Sequence, residues 1–247
     1  MLLHGFLDTW RTWELVLPAL ARRHDVLALT LAAHAGGPQI EGELTDASLP
    51  DAVERALDEA GIGRAHIAGN SLGGYVALQL AARGRAETVV ALAPAGGWDD
   101  DSYVATLDLQ ARLAEQARSL APYADAIVAT PEGRRRATQL ITTNYEHIPP
   151  ELLADQLRAV AACTDAARLI EHARTAEWTL DAERITCPVR VVWGTDDKLL
   201  PWPSAAARYR TEWLPHADWV ELDGVGHCPQ LDVPLETAEL ILGVTAR

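Results

Sequence analysis

The stretch that most restricts how this chain can fold lies at residues 65–83. A short apolar run opens it, breaks at Gly69, and gives way from Leu72 to an Ala/Leu-rich segment of helical character. Between the two stands Gly69-Asn70-Ser71-Leu72-Gly73, a G-x-S-x-G pattern with a strand before it and a helix after it. A serine on so sharp a turn takes up strained backbone angles, and Cβ atoms two residues to either side would collide. Glycine at both places removes them. The turn lifts the Ser71 hydroxyl clear of the sheet and aims a helix N-terminus at it.

Other stretches belong with it in chain order: His4-Gly5-Phe6 near the start, Gly194-Thr195-Asp196-Asp197 after an apolar run, and Gly224-Val225-Gly226-His227 near the end. On these residues the chain resembles the α/β-hydrolase fold enzymes over all but its middle segment. The order Ser, Asp, His is the one that family uses, whereas chymotrypsin-like and subtilisin-like proteases use others. The resemblance implies Ser71 as nucleophile, His227 as base and Asp197 as the acid that orients the imidazole. It implies an oxyanion hole from the backbone N–H groups of Phe6 and Leu72, with His4 ordering the loop. Asp196 is the near rival of Asp197, and the family's Gly-x-x-Asp spacing from Gly194 favours Asp197. Some branches place the acid after the preceding strand, which would nominate Asp99, Asp100 or Asp101; otherwise these residues cap a helix.

The family carries further strands ahead of the His-Gly loop. Their lack leaves the strand expected at residues 26–31 as an apolar edge, which proteins usually protect. The expectation is a truncated or misassigned start, or a homodimer paired at this edge.

Elsewhere the pattern alternates. Trp13, Leu17 and Leu20 are spaced for a helix over residues 10–20. Ser48 and Asp51 form a capping-box pattern for a helix burying Val53, Ala56, Leu57 and Ala60. Strands are expected at residues 87–93, 188–193 and 219–222, and a closing helix at 233–242. From 98 to 180 strand-like runs vanish and Ala, Arg, Glu and Leu recur at helical spacing. The expected fold is α/β: a mostly parallel sheet with helices on both faces, formed by residues 1–97 and 181–247. An all-helical cap, 98–180, is inserted in it and resembles the family's lid. Ligands of such sheets sit beyond the carboxyl ends of the strands, where Phe6, Ser71, Asp197 and His227 would converge. Trp98, at the junction of sheet and lid, is expected to line the pocket.

Composition narrows the chemistry. A net charge of −14 argues against a nucleic-acid partner, and Arg134-Arg135-Arg136 reads as a solvated helix face. Three scattered cysteines suit a reducing cytoplasm better than a disulfide framework or a zinc site. Cys228, though beside His227, reads as a small buried hydrophobe. No apolar run is long enough to span a bilayer, and the start is unlike a signal peptide. Gly61-Ile62-Gly63 precedes a strand where a phosphate loop must follow one, and the dispersed histidines suggest no metal site. The expected protein is a cytoplasmic serine hydrolase, without cofactor or metal, cleaving an ester or related acyl bond of a small, largely apolar molecule. Its base must be neutral, so activity should fall below roughly pH 6–7. Two rivals remain: the same residues used for carbon–carbon cleavage of a ring-fission diketone or for perhydrolysis, and a non-catalytic ligand-binding member of the fold.

Overall fold

The structure, a computed structural model, describes residues 1–99, 101 and 103–245. Strands β1 (Leu2–Leu3), β2 (Ala28–Leu29), β3 (Ala65–Asn70), β4 (Ala86–Leu92), β5 (Val189–Gly194) and β6 (Asp218–Leu222) form one sheet. Its order is β2-β1-β3-β4-β5-β6 with every pairing parallel. Side chains alternate across a pleated strand, so each strand feeds two cores. Val89 and Ala91 of β4 join Leu3, Ile67, Val191 and Trp193 on one face. Val90 and Leu92 join Leu2, Ala68, Val192 and Trp13 on the other. Both faces are apolar because both are covered.

Helices α2 (Ser48–Glu59) and α3 (Leu72–Ala82) cover the first face through Val53, Val76, Leu78 and Leu80. Helix α1 (Leu17–Leu20) and helix α10 (Pro234–Thr245) cover the second through Leu20, Ala238, Ile241 and Val244. Helix α3 is buried nearly all round, as its continuous Ala/Leu content requires.

Between β4 and β5 the described residues form α4 (Tyr103–Leu120), α5 (Ala124–Val128), α6 (Pro131–Thr138), α7 (Pro150–Ala162) and α8 (Ala166–Thr175), with no strand. These helices anchor to the rest through Tyr103 and Ala173 on the first core and through two smaller patches. Val128, Ile148 and Leu152 pack with Cys228 and Leu231, the latter in α9 (Pro229–Asp232). Ala114, Cys163 and Leu169 pack with Leu7, Ala33 and Leu44. Among the described residues no helix is long and apolar enough to cross a membrane.

Three local expectations are corrected. The helix at 10–20 is split into a short 3-10 turn, Trp10–Trp13, and α1. Pro18 has no N–H to give to the carbonyl of Glu14 and its ring crowds that carbonyl, so a continuous helix cannot pass. The capping box is not made: Ser48 lies inside α2 and its Oγ accepts the Thr45 N–H at 2.9 Å, while Ala60 is exposed beyond the last turn. The strand at 26–31 pairs only over Ala28–Leu29, at the half-buried edge of the sheet.

Candidate active site

Ser71 sits between the last residue of β3 and the first of α3, with φ 53° and ψ −117°. An L residue enters positive φ only under constraint, and backbone hydrogen bonds supply it here. The Ser71 N–H donates to Leu92 O at 2.8 Å, and Ser71 O accepts from Tyr75 and Ala95. The flanking glycines are needed for a reason that the structure makes specific. A Cβ on Gly69 would lie 2.2 Å from Gly73 O, and one on Gly73 would lie 2.3 Å from Leu3 O. The turn is wedged between its own helix and the end of β1, and only bare backbone fits.

The second half of the site comes from β5 and β6. A Cβ on Gly194 would meet Val225 O at 2.2 Å, so this glycine lets the loop carrying His227 close over the end of β5. The closure brings Asp197 Oδ2 within 2.7 Å of His227 Nδ1, both side chains being buried. Asp197 Oδ1 accepts the N–H groups of Leu199 and Leu200 at 2.9 and 2.8 Å, which fixes the carboxylate. With Oδ2 accepting from Nδ1–H, Nε2 of His227 is left as the free lone pair. Asp196 is exposed; Asp99 and Asp101 are exposed as well, and Asp100 lies outside the described residues.

The histidine loop is held from several sides. Asn70, next to Ser71, donates to His227 O at 3.0 Å, and its own Oδ1 accepts from Gln230 and from the Cys228 thiol. Asp232 accepts the N–H groups of Gly226, Thr143 and Asn144 at 2.7, 2.9 and 2.6 Å, joining this loop to the helical segment. Burial pushes the Cys228 thiol well above its ordinary range, with nearby carboxylates adding to the effect. The thiol stays protonated and inert.

His4 is fully buried. Its Nδ1–H donates to Gly5 O at 2.7 Å and its Nε2 accepts the Leu31 N–H at 2.9 Å, so both ring nitrogens are committed to ordering the loop. Burial, with the neighbouring His34, lowers its pKa to about 3 and keeps it neutral. The N–H groups of Phe6 and Leu72 have no hydrogen-bond acceptor among the described residues, as expected of a loop and a helix start left open toward a ligand.

Ser71, His227, Phe6 and Leu72 line one cavity of about 940 Å³, counting the space open to solvent. No hydrogen bond joins Ser71 Oγ to His227 Nε2 among the described residues; such contacts often tighten only with substrate in place. The walls are apolar and aromatic: Tyr75, Trp98, Tyr103 and Trp178, with Leu44, Leu107 and Leu169 beyond them. Trp98 stacks on Tyr103 with centroids 4.7 Å apart and meets Trp178 edge-on at 5.0 Å. Tyr75 could have been found from sequence, since it lies one helical turn past Ser71. Trp178, Asp46 and His172 come from distant segments and gave no such signal. Among the described residues no group of three or more His, Cys, Asp or Glu is placed to hold a metal ion.

Residues 1–240 match the family model described as the alpha/beta hydrolase family. The chain belongs to that family. Its curated relatives include "Epoxide hydrolase EphH" of Mycobacterium tuberculosis, 35% identical over 202 residues covering 80% of this chain and 94% of that protein. Among solved structures, this alpha/beta hydrolase is similar to the enol-lactonase from Burkholderia xenovorans LB400, with TM-score 0.76 and 21% identity over 100% of this chain and 90% of that one. It is similar also to the 2-hydroxy-6-oxo-6-phenylhexa-2,4-dienoate hydrolase from Rhodococcus sp. strain RHA1, with TM-score 0.74 and 22% identity over 100% and 89% of the two chains. These structural likenesses speak to the fold alone.

Proposed function

We propose that this alpha/beta hydrolase is a serine hydrolase cleaving an ester or related acyl bond of a small, largely apolar molecule. The observation that carries the reading is the 2.7 Å contact between His227 and Asp197, with His227 and the strained Ser71 sharing one apolar cavity. In this reading Ser71 Oγ attacks the carbonyl carbon while His227 Nε2 takes its proton, and Asp197 holds the tautomer and stabilises the imidazolium. The N–H groups of Leu72 and Phe6 take the developing oxyanion, each such donor contributing roughly 3–4 kcal/mol of barrier lowering. His227 then gives its proton to the departing alcohol. Water, deprotonated by the same imidazole, attacks the acyl-serine, releases the acid and restores Ser71. Residues 98–180 serve as the lid over a core of 1–97 and 181–247.

The relative's name raises epoxide opening as an alternative, and the chemistry of Ser71 weighs against a covalent route to it. A serine hydroxyl that opened an epoxide would become an ether, with no carbonyl for water to attack, and the enzyme would stop after one cycle. An acyl-serine has that carbonyl. The test is steady-state hydrolysis of p-nitrophenyl esters of increasing chain length by wild type and Ser71→Ala. The variant should fold normally and lose roughly four to six orders of magnitude in kcat. Retained turnover would remove Ser71 from the mechanism, and poor rates on every ester would favour carbon–carbon cleavage or perhydrolysis.

A further inference from the structure

We infer that the cavity sorts its substrates by charge: it accepts uncharged acyl compounds and turns away those carrying a carboxylate remote from the reacting carbonyl, with Asp46 setting the sign. The inference rests on the ester reading of the same site, and its binding test does not.

Among the described residues the lining holds no lysine or arginine. Among the described residues its one carboxylate is Asp46, at the exposed rim, whose Oδ1 lies 3.1 Å from His172 Nε2 across the junction between the loop before α2 and helix α8. Four cations on neighbouring segments are engaged elsewhere. Arg208 donates to Trp178 O at 3.2 Å and lies over the Trp213 ring at 4.1 Å, and Lys198 donates to Gln139 O at 3.2 Å. Arg168 spends its guanidinium on the carbonyls of Ile40 and Gly42, and Arg174 pairs with Asp108. A carboxylate entering between Tyr75, Trp98, Tyr103 and Trp178 would lose its hydration and find no counter-charge, a combination that buried ions do not tolerate.

The field of Asp46 reaches this wall. The Tyr75 hydroxyl, which donates to Thr179 O at 2.7 Å, is pushed up to about 12, first by burial; the Gln79 amide that donates to it opposes this, the Asp46 charge adds to it, and Arg208 opposes by less. The same rule weighs against a diketone bearing a carboxylate as the substrate of this cavity. It leaves neutral esters, lactones and amides of apolar acids.

The experiment uses pairs that differ in charge and little in shape, at pH 8, where an ordinary imidazole is neutral. Isothermal titration compares adipic diamide with adipic monoamide, whose far end is a carboxylate. Hydrolysis compares the p-nitrophenyl ester of adipic monoamide with mono-p-nitrophenyl adipate. Wild type should bind the diamide at least tenfold more tightly, and kcat/KM should favour the neutral ester on the order of a hundredfold. Asp46→Asn should narrow both ratios, and Gln110→Lys, which sets an ammonium among the lining residues, should narrow them further. Equal treatment of the two members of each pair, or ratios that neither substitution moves, would overturn the inference. If no ester is turned over while the amides still separate, the ester reading falls and charge sorting stands. If esters turn over without regard to charge, the reverse holds.

Discussion

At the scale of single residues, the site is a set of places where only one side chain fits. Gly73 is the sharpest: its missing Cβ is the 2.3 Å gap to Leu3 O, a backbone atom at the end of β1 that cannot rotate away. Gly73→Ala should therefore destabilise the protein by about 3 kcal/mol or more, read as a lower urea midpoint, where alanine on an open helix face would cost nothing. Asp197 is as constrained, with Oδ1 on two backbone N–H groups and Oδ2 on His227. Asp197→Asn keeps the shape but presents an amide to Nδ1 and favours the wrong tautomer, so kcat should fall by roughly four orders of magnitude with little change in KM. These residues were legible because their chemistry forces short local patterns. Asp46 and His172 were not: they meet through the fold, from segments far apart in the chain, and neither belongs to a pattern.

At the scale of elements, the parallel sheet delivers Ser71, Asp197 and His227 to one edge, and loop-to-loop bonds hold them there. Asp232 in α9 is the hub, accepting Gly226 from the histidine loop and Thr143 and Asn144 from the helical segment. Asp232→Ala takes the acceptor from three N–H groups, that of Gly226 buried and those of Thr143 and Asn144 partly so, and should cost about 2 kcal/mol or more in stability. It should also lower kcat while Asp197 stays intact, because His227 loses its anchor; an unchanged kcat in the folded variant would show that Asn70 alone holds the loop. Periodicity found most strands and α3, whose apolar content needs a buried place whatever packs against it. It missed the break at Pro18, where one ring overrides an otherwise regular spacing. It missed the role of Ser48 too, since a hydroxyl can cap a helix or bond to the residue before it with equal ease.

At the scale of the whole molecule, buried titratable groups tie stability to pH. His4 and His34 touch edge-on, with centroids 4.9 Å apart. Burial holds them at about 3 and about 4, the His4–His34 repulsion adding to it for His4. The unfolded chain binds protons near pH 6.5 and the folded one does not, so stability is full above that pH. It falls as pH drops, by up to about 1.4 kcal/mol per unit for each imidazole. Asp8 acts in the opposite sense. Burial raises it to about 6, so its contribution is greatest at low pH and is lost as pH rises from about 4 to 6. Urea titrations from pH 7 to pH 5 should show a net loss of stability on acidification, shallower in His34→Asn and steeper in Asp8→Asn. A flat profile would contradict these assignments. None of this was visible in the sequence, because burial is a property of the assembled chain. The reactivity of Ser71 is read by intact-mass spectrometry after exposure to a fluorophosphonate. One phosphonyl group per chain, located on Ser71 and lost in Ser71→Ala, is the result expected of an activated serine. An unmodified chain, or a label on another residue, would contradict the account.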